Sequence, residues 1–110
     1  MSLNDFESFK KLLLSVGVPV FHDKAMGVKP PYIRWSQTTQ LREYAGDKTA
    51  HKGWRVAVDY FTLDEYDEVA DLLEAALENG GIPISDCERI TEEETGDIHY
   101  AYTVEVFDLG

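Results

Sequence analysis

Cysteine is almost absent from this 110-residue chain, where Cys87 stands alone. A single thiol has no partner within the chain, which excludes an internal disulfide framework and reads as an intracellular or cytosolically assembled protein. Long apolar runs are missing too, so no stretch has the length of a membrane-spanning helix. The opening MSLNDFESFKKLLLSVGVPV sets acids before bases and interrupts its apolar stretch with Lys10 and Lys11, so no signal peptide is expected. Bases are scarce: ten Lys and Arg face twenty-one Asp and Glu, a formal net charge of -11, which argues against a wrapping contact with nucleic-acid phosphates. The scarcity is uneven. Residues 1–58 hold nine bases and five acids, whereas residues 59–110 hold sixteen acids and a single base, Arg89, so an electrically lopsided molecule is expected.

What is present suits one small domain spanning residues 1–110. Hydrophobic residues make up 44% of the chain, and five Phe, six Tyr and two Trp give a core ample material without disulfides. Phe6, Phe9, Leu13 and Val16 share one face of a helix expected over residues 1–16, capped by Ser2 or Asn4 and ended by Gly17. VPVF (18–21) and YIRWSQTTQL (32–41) read as strands. Strict alternation over WRVAVDYF (54–61) sets Trp54, Val56, Val58 and Tyr60 on one face. Thr62 with Glu65 forms a capping box, and Phe61 with Tyr66 a hydrophobic staple, for a second helix over 63–79 that Gly80-Gly81 stops. That helix carries Tyr66, Val69, Ala70, Leu73, Ala76 and Leu77 on one side and a stripe of carboxylates on the other. A final hairpin pairs CERITEEE with IHYAYTVEVF around Thr95-Gly96-Asp97. The expected fold is α+β, in the order α-β-β-β-α-β-β, with a largely antiparallel mixed sheet and both helices packed on one face.

Catalytic constellations are not legible. His22 and Asp23 are neighbours on a strand and should point to opposite faces, His51 belongs to a solvated segment, and His99 falls on the outer phase of its strand. Glu92, Glu93, Glu94 and Asp97 read as a solvated acidic hairpin rather than a metal site, and Cys87 as a small core residue. AMGVKPP has one glycine and no following helix, so it is no phosphate loop. No catalytic residue, cofactor or metal ligand set is expected. Residues 42–53, REYAGDKTAHKG, lack apolar periodicity and read as a long flexible loop. It is either a floppy connection or an arm that orders on a partner, and the sequence does not separate the two.

Three stretches carry a family resemblance: Pro31-Tyr32-Ile33 opening the second strand, Ala45-Gly46-Asp47 before a basic loop, and Val58-Asp59-Tyr60-Phe61-Thr62 leading into the acidic helix. With the CERITEEETGDIHYAYTVEVF hairpin, the chain resembles, over nearly its whole length, the small tail terminator or tail completion proteins of long noncontractile-tailed bacteriophages and prophages, often called minor capsid proteins. Gly46 is an insertion relative to the family's Ala-Asp-Asn-like stretch. The resemblance implies a non-enzymatic virion assembly protein that caps the tail tube as a hexameric ring, ends tube polymerisation and forms the head-docking surface. It also implies the tail tube protein and a head connector or completion protein as partners, with the head-tail junction as its place in the virion and the bacterial cytoplasm as its place during assembly. The alternatives are a head completion or connector component and an acidic DNA-mimic inhibitor.

Rings close through heterologous contacts, for which a lopsided charge distribution is useful. The interface expected from the charge pattern pairs Arg42, Lys48 and Lys52 of the loop with Asp67, Asp71, Glu74 and Glu78 of the second helix on a neighbour. Because only Leu14 and Leu72 fall off the apolar faces, the isolated chain is expected to be a monomer or weak oligomer, with no membrane contact and no specific nucleic-acid binding.

Overall fold

In the computed structural model, which describes residues 6–107, the alternating pattern around Trp54 does what period-two sequences do. It forms the central strand of a sheet. The elements are α1 (Glu7–Leu14), β1 (Val20–His22), β2 (Tyr32–Ala45), β3 (Lys48–Thr62), α2 (Val69–Asn79), β4 (Ile84–Thr91) and β5 (Ile98–Phe107), in the expected order. The five strands make one mixed sheet ordered β1-β2-β3-β5-β4. Only the short β1 runs parallel to its neighbour, pairing Val20 with Ile33 and His22 with Trp35. The other three pairings are antiparallel.

Register aligns the apolar phase of each strand. Ile33 faces Tyr60 and Trp35 faces Val58 across β2 and β3, and Val58 faces Tyr102 and Val56 faces Val104 across β3 and β5. These residues form one buried cluster with Phe9 and Leu13 of α1 and Ala70, Leu73 and Leu77 of α2. Each large side chain fully removed from water contributes roughly 1.5–3 kcal/mol, and this cluster is where most of that burial is concentrated.

The α1 helix is shorter than expected, and the candidate caps Ser2 and Asn4 lie outside the described residues. Its C-terminal end is as expected: Gly17 has φ +96°, a conformation that glycine adopts without penalty, and its N–H bonds to the Leu14 carbonyl. The second helix starts at Val69 rather than Leu63. The Thr62 hydroxyl accepts the Asp64 N–H, the Asp64 carboxylate accepts the Tyr66 N–H, and the Asp67 carboxylate accepts the Val69 N–H. Side chains thereby bind the N–H groups in a run of turns, and the helix begins only after the last of them. Tyr66 consequently stands 90% exposed and the expected staple does not form.

The largest correction concerns residues 42–53. They are not a loop. β2 and β3 continue past Leu41 and Gly53 and close on the two-residue turn Gly46-Asp47, with Arg42 opposite Lys52 and Glu43 opposite His51. Gly46 has φ +69° at the first turn position, where a type II′ hairpin takes glycine. Gly46 is thus the residue that makes the tight turn possible. Cys87 also differs from expectation, since it is exposed on the edge strand β4 rather than buried. Leu14 and Leu72 are exposed as expected, but Met26, Tyr44, Leu63, Tyr66 and Ile90 are exposed as well.

Candidate assembly surface

Among the described residues, the last β3–β5 pair is Gly53 with Phe107, and β1 leaves β2 after His22 and Trp35. From Leu41 and Gly53 to the turn, β2 and β3 therefore have no third strand beside them among the described residues. At about 3.3 Å per residue this two-stranded arm projects roughly 20 Å. The domain is correspondingly long, 51 × 24 × 22 Å. Arg42 and Lys52 are a directly opposed pair and so share one face of the arm, with Lys48 beside the turn. The Arg42 guanidinium is held along the arm, donating to Gln40 Oε1 at 3.0 and 3.3 Å and to Thr49 Oγ1 at 3.5 Å.

The four helix acids divide into two kinds. Asp71 and Glu78 are exposed. Asp67, just before α2, accepts bonds from the Tyr60 hydroxyl (2.5 Å), the Thr62 hydroxyl (2.5 Å) and the Val69 N–H (2.7 Å). Burial alone would raise its pKa, but the bonds from Thr62, Tyr60 and Val69 prevail and hold the carboxyl below its ordinary range. Burial, followed by the bond to Asp67, pushes the Tyr60 phenol up. Glu74 accepts the Tyr102 hydroxyl at 3.0 Å, and burial followed by that bond raises the Tyr102 phenol. Two of the four expected interface acids therefore serve the chain's own fold.

The arm and Asp67 lie at opposite ends of the sheet. Asp67 is tied to Thr62, the last residue of β3, ten residues beyond Lys52 and so about 33 Å from it along the strand. The structure does not bring the arm cations and Asp67 together within one chain. A contact between them would have to join two copies.

A second arrangement escaped the sequence reading. On the face of the sheet away from Val58 and Tyr60, buried Asp59 accepts a bond from Arg34 at 3.3 Å on one carboxylate oxygen, and its other oxygen lies 2.7 Å from His99 Nε2. His99 stacks on Phe61 with centroids 4.2 Å apart, Phe61 stacks on Tyr32 at 4.8 Å, and the Arg34 guanidinium lies over the Phe61 ring. The group ties β2, β3 and β5 side by side, with both carboxylate oxygens engaged. Its only signal in the sequence is strand phase, because Arg34, Asp59 and His99 meet only once the register is known. His22 and Asp23 also differ from expectation. Asp23 leaves the strand with φ +64°, which brings its carboxylate to 3.6 Å from His22 Nε2, while the His22 ring stacks on Trp35.

No protein-family model matches this chain, and no curated protein matches it in sequence.

Proposed function

We propose that this chain is a virion assembly protein of a long noncontractile-tailed phage or prophage, one that caps the tail tube as a hexameric ring, ends tube polymerisation and presents the surface on which the head connector docks. The observation that carries this reading is the polar layout of the domain. A cation-bearing arm projects from one end of a 51 Å molecule, and α2 presents exposed carboxylates and no base. Two copies with that layout attract arm to helix, and where that contact is made head to tail rather than reciprocally, its repetition closes a ring. The resemblance of the whole chain to tail terminators, and the element order it shares with the expected fold, support the same reading. In it the two helices form a layer on one face of the sheet, leaving the Arg34–Asp59–His99 face to the tube or the head. The arm contact pairs Arg42, Lys48 and Lys52 with Asp71 and Glu78 of the next subunit. Exposed pairs contribute about 0–1 kcal/mol each, so their main effect is steering and register, repeated at every interface.

The test is the Lys48→Glu/Lys52→Glu double variant in tail assembly. Overlong tubes are expected, with partial recovery when Asp71→Lys and Glu78→Lys are added in the same chain. Tubes of normal length with the arm variant, at both low and high salt, would overturn the pairing.

A further inference from the structure

We propose that a single face of the arm is a docking surface, and that it seats in the groove beside the start of α2 on a second copy of this chain. The two faces of the arm differ in charge. Backbone pairing sets Gln40 opposite Trp54, Arg42 opposite Lys52 and Tyr44 opposite Thr49, and the bonds from Arg42 to Gln40 and to Thr49 place these three pairs on one face. That face has two cations and no carboxylate. The other face takes Glu43 with His51 and Ala45 with Lys48, so there an acid accompanies the cation. Tyr44 stands 63% exposed on the cationic face, and tyrosine is a residue that interfaces favour. The chain's other clustered bases have acids among them, Glu7 with Lys10 and Lys11, and Asp23 with Lys24.

The groove is the complement of that face. It has a volume of about 360 Å³, and Glu65, Tyr66, Glu68, Asp71 and Tyr100 are among the residues that line it. Asp67 and Glu74 line it as well, each already bonded to a tyrosine of the sheet, and none of the lining residues is a base. Arg89, whose guanidinium lies over the Tyr100 ring and donates to its hydroxyl, offsets one of these charges and leaves the groove strongly negative. A cation placed over Tyr66 between Glu65 and Glu68 is attracted by the ring face as well as by the carboxylates. Shape selects this partner over the acidic turn at 92–97. That turn is itself a projection, exposed from Glu92 to Gly96, against which a ribbon makes a small contact, whereas a groove receives a ribbon along its length. Asp67 fixes the groove at the end of the sheet away from the arm, so a chain's arm does not enter its own groove. The inference deepens the arm-to-helix reading and rests on it for the identity of the partner, while narrowing the arm's contact to Arg42, Tyr44 and Lys52.

The experiment uses the full chain with Cys87→Ser, adding Thr49→Cys on the cationic face together with Glu68→Cys at the groove, under mild oxidation at low salt. Disulfide-linked oligomers are expected. The control replaces Thr49→Cys by Ala45→Cys, which moves the thiol to the other face of the same arm and should give only background. Adding Lys52→Glu to the linking chain should lower the yield several-fold and further adding Asp71→Lys should restore it, whereas Lys48→Glu should change it far less. Equal linking from both faces, or none from Thr49→Cys even with tail tubes present, would overturn the docking. If the docking fails in this way while the Lys48→Glu/Lys52→Glu variant still makes overlong tubes, the groove is wrong and the assembly reading stands. If the Thr49→Cys pair yields only doubly linked dimers, the docking stands and the ring fails.

Discussion

Replacing Asp67 by alanine should separate a structural carboxylate from an interface one. The carboxylate accepts three bonds, from Tyr60, Thr62 and the Val69 N–H, and the first two donors are 0% and 2% exposed. Without it, two buried hydroxyls lose their acceptor at about 1–3 kcal/mol each, and the start of α2 loses a capping bond worth about 1 kcal/mol. A destabilisation of about 3–5 kcal/mol follows, since part of the cost is relieved as water reaches the site. At roughly 4–8 °C per kcal/mol for a domain near this size, the melting temperature should fall by more than about 12 °C. Urea and thermal melts followed by circular dichroism measure it. Tyr60→Phe in the same background should cost less than it does in the native chain, because the donor and acceptor are then both gone. The pH dependence has a definite sign. A carboxyl held below its unfolded pKa adds stability that is present above about pH 4 and is lost as pH falls through the folded value, so Asp67→Asn should flatten the acid limb of the stability curve. An Asp67→Ala chain that melts within about 1 kcal/mol of the native one, or strict additivity with Tyr60→Phe, would refute this assignment.

Two further outcomes follow from the backbone. A Cβ built on Gly53 would fall 2.5 Å from Phe107 Cδ1 and 2.9 Å from Cγ, within the body of the ring, so Gly53→Ala should cost about 1–3 kcal/mol in urea unfolding; an unchanged midpoint would show that Phe107 simply moves aside. Amides of residues 42–52 should exchange faster than those of β3 from Val56 to Tyr60 in the free chain and slow when tail tubes are added, because a two-stranded ribbon without a third strand or a covering layer is marginal; strong protection in the free chain would contradict this.

The fold was largely legible because its signals are local. The Trp54 alternation, the helix faces built on Phe9, Leu13, Leu73 and Leu77, and the turn at Gly96 need only neighbours in sequence. The arm was not legible for a physical reason. Its strands bury nothing, so they carry no apolar alternation, and they are held by backbone pairing that no composition reveals. Gly46-Asp47 was the available clue, being a short turn signal inside a polar stretch. The delayed start of α2 was hidden because Thr62 and Asp67 have the chemistry of caps but spend it on Asp64, Tyr60 and Val69. The Arg34–Asp59–His99 group needed a register across three strands, and the division of the acids into exposed and hydrogen-bonded ones needed the positions of Tyr60 and Tyr102.

An arm and a bare edge strand are hazards as well as opportunities, since each presents unpaired N–H and C=O groups to other chains. The sequence counters this locally. Register shifts interrupt β2 between Gln37 and Thr39, the arm between Glu43 and Tyr44, and β4 between Ile84 and Asp86, and each shift spoils the flat template that strand addition requires. Lys48, Lys52 and Arg42 charge the arm, while Asp86 and Glu88 charge the β4 edge. The arm also carries Glu43 and Asp47, and β4 carries Arg89, so strand addition at either edge would crowd charges of both signs against another chain. With a net charge of -11 the whole molecules also repel at low salt. In the proposed assembly, contact between copies is favoured where an arm cation meets an exposed carboxylate, and a partner that holds several copies in register would supply the local concentration that the free chain lacks. The same charges thus work against pairing through like strand edges, which is what the proposed head-to-tail assembly requires of the free chain.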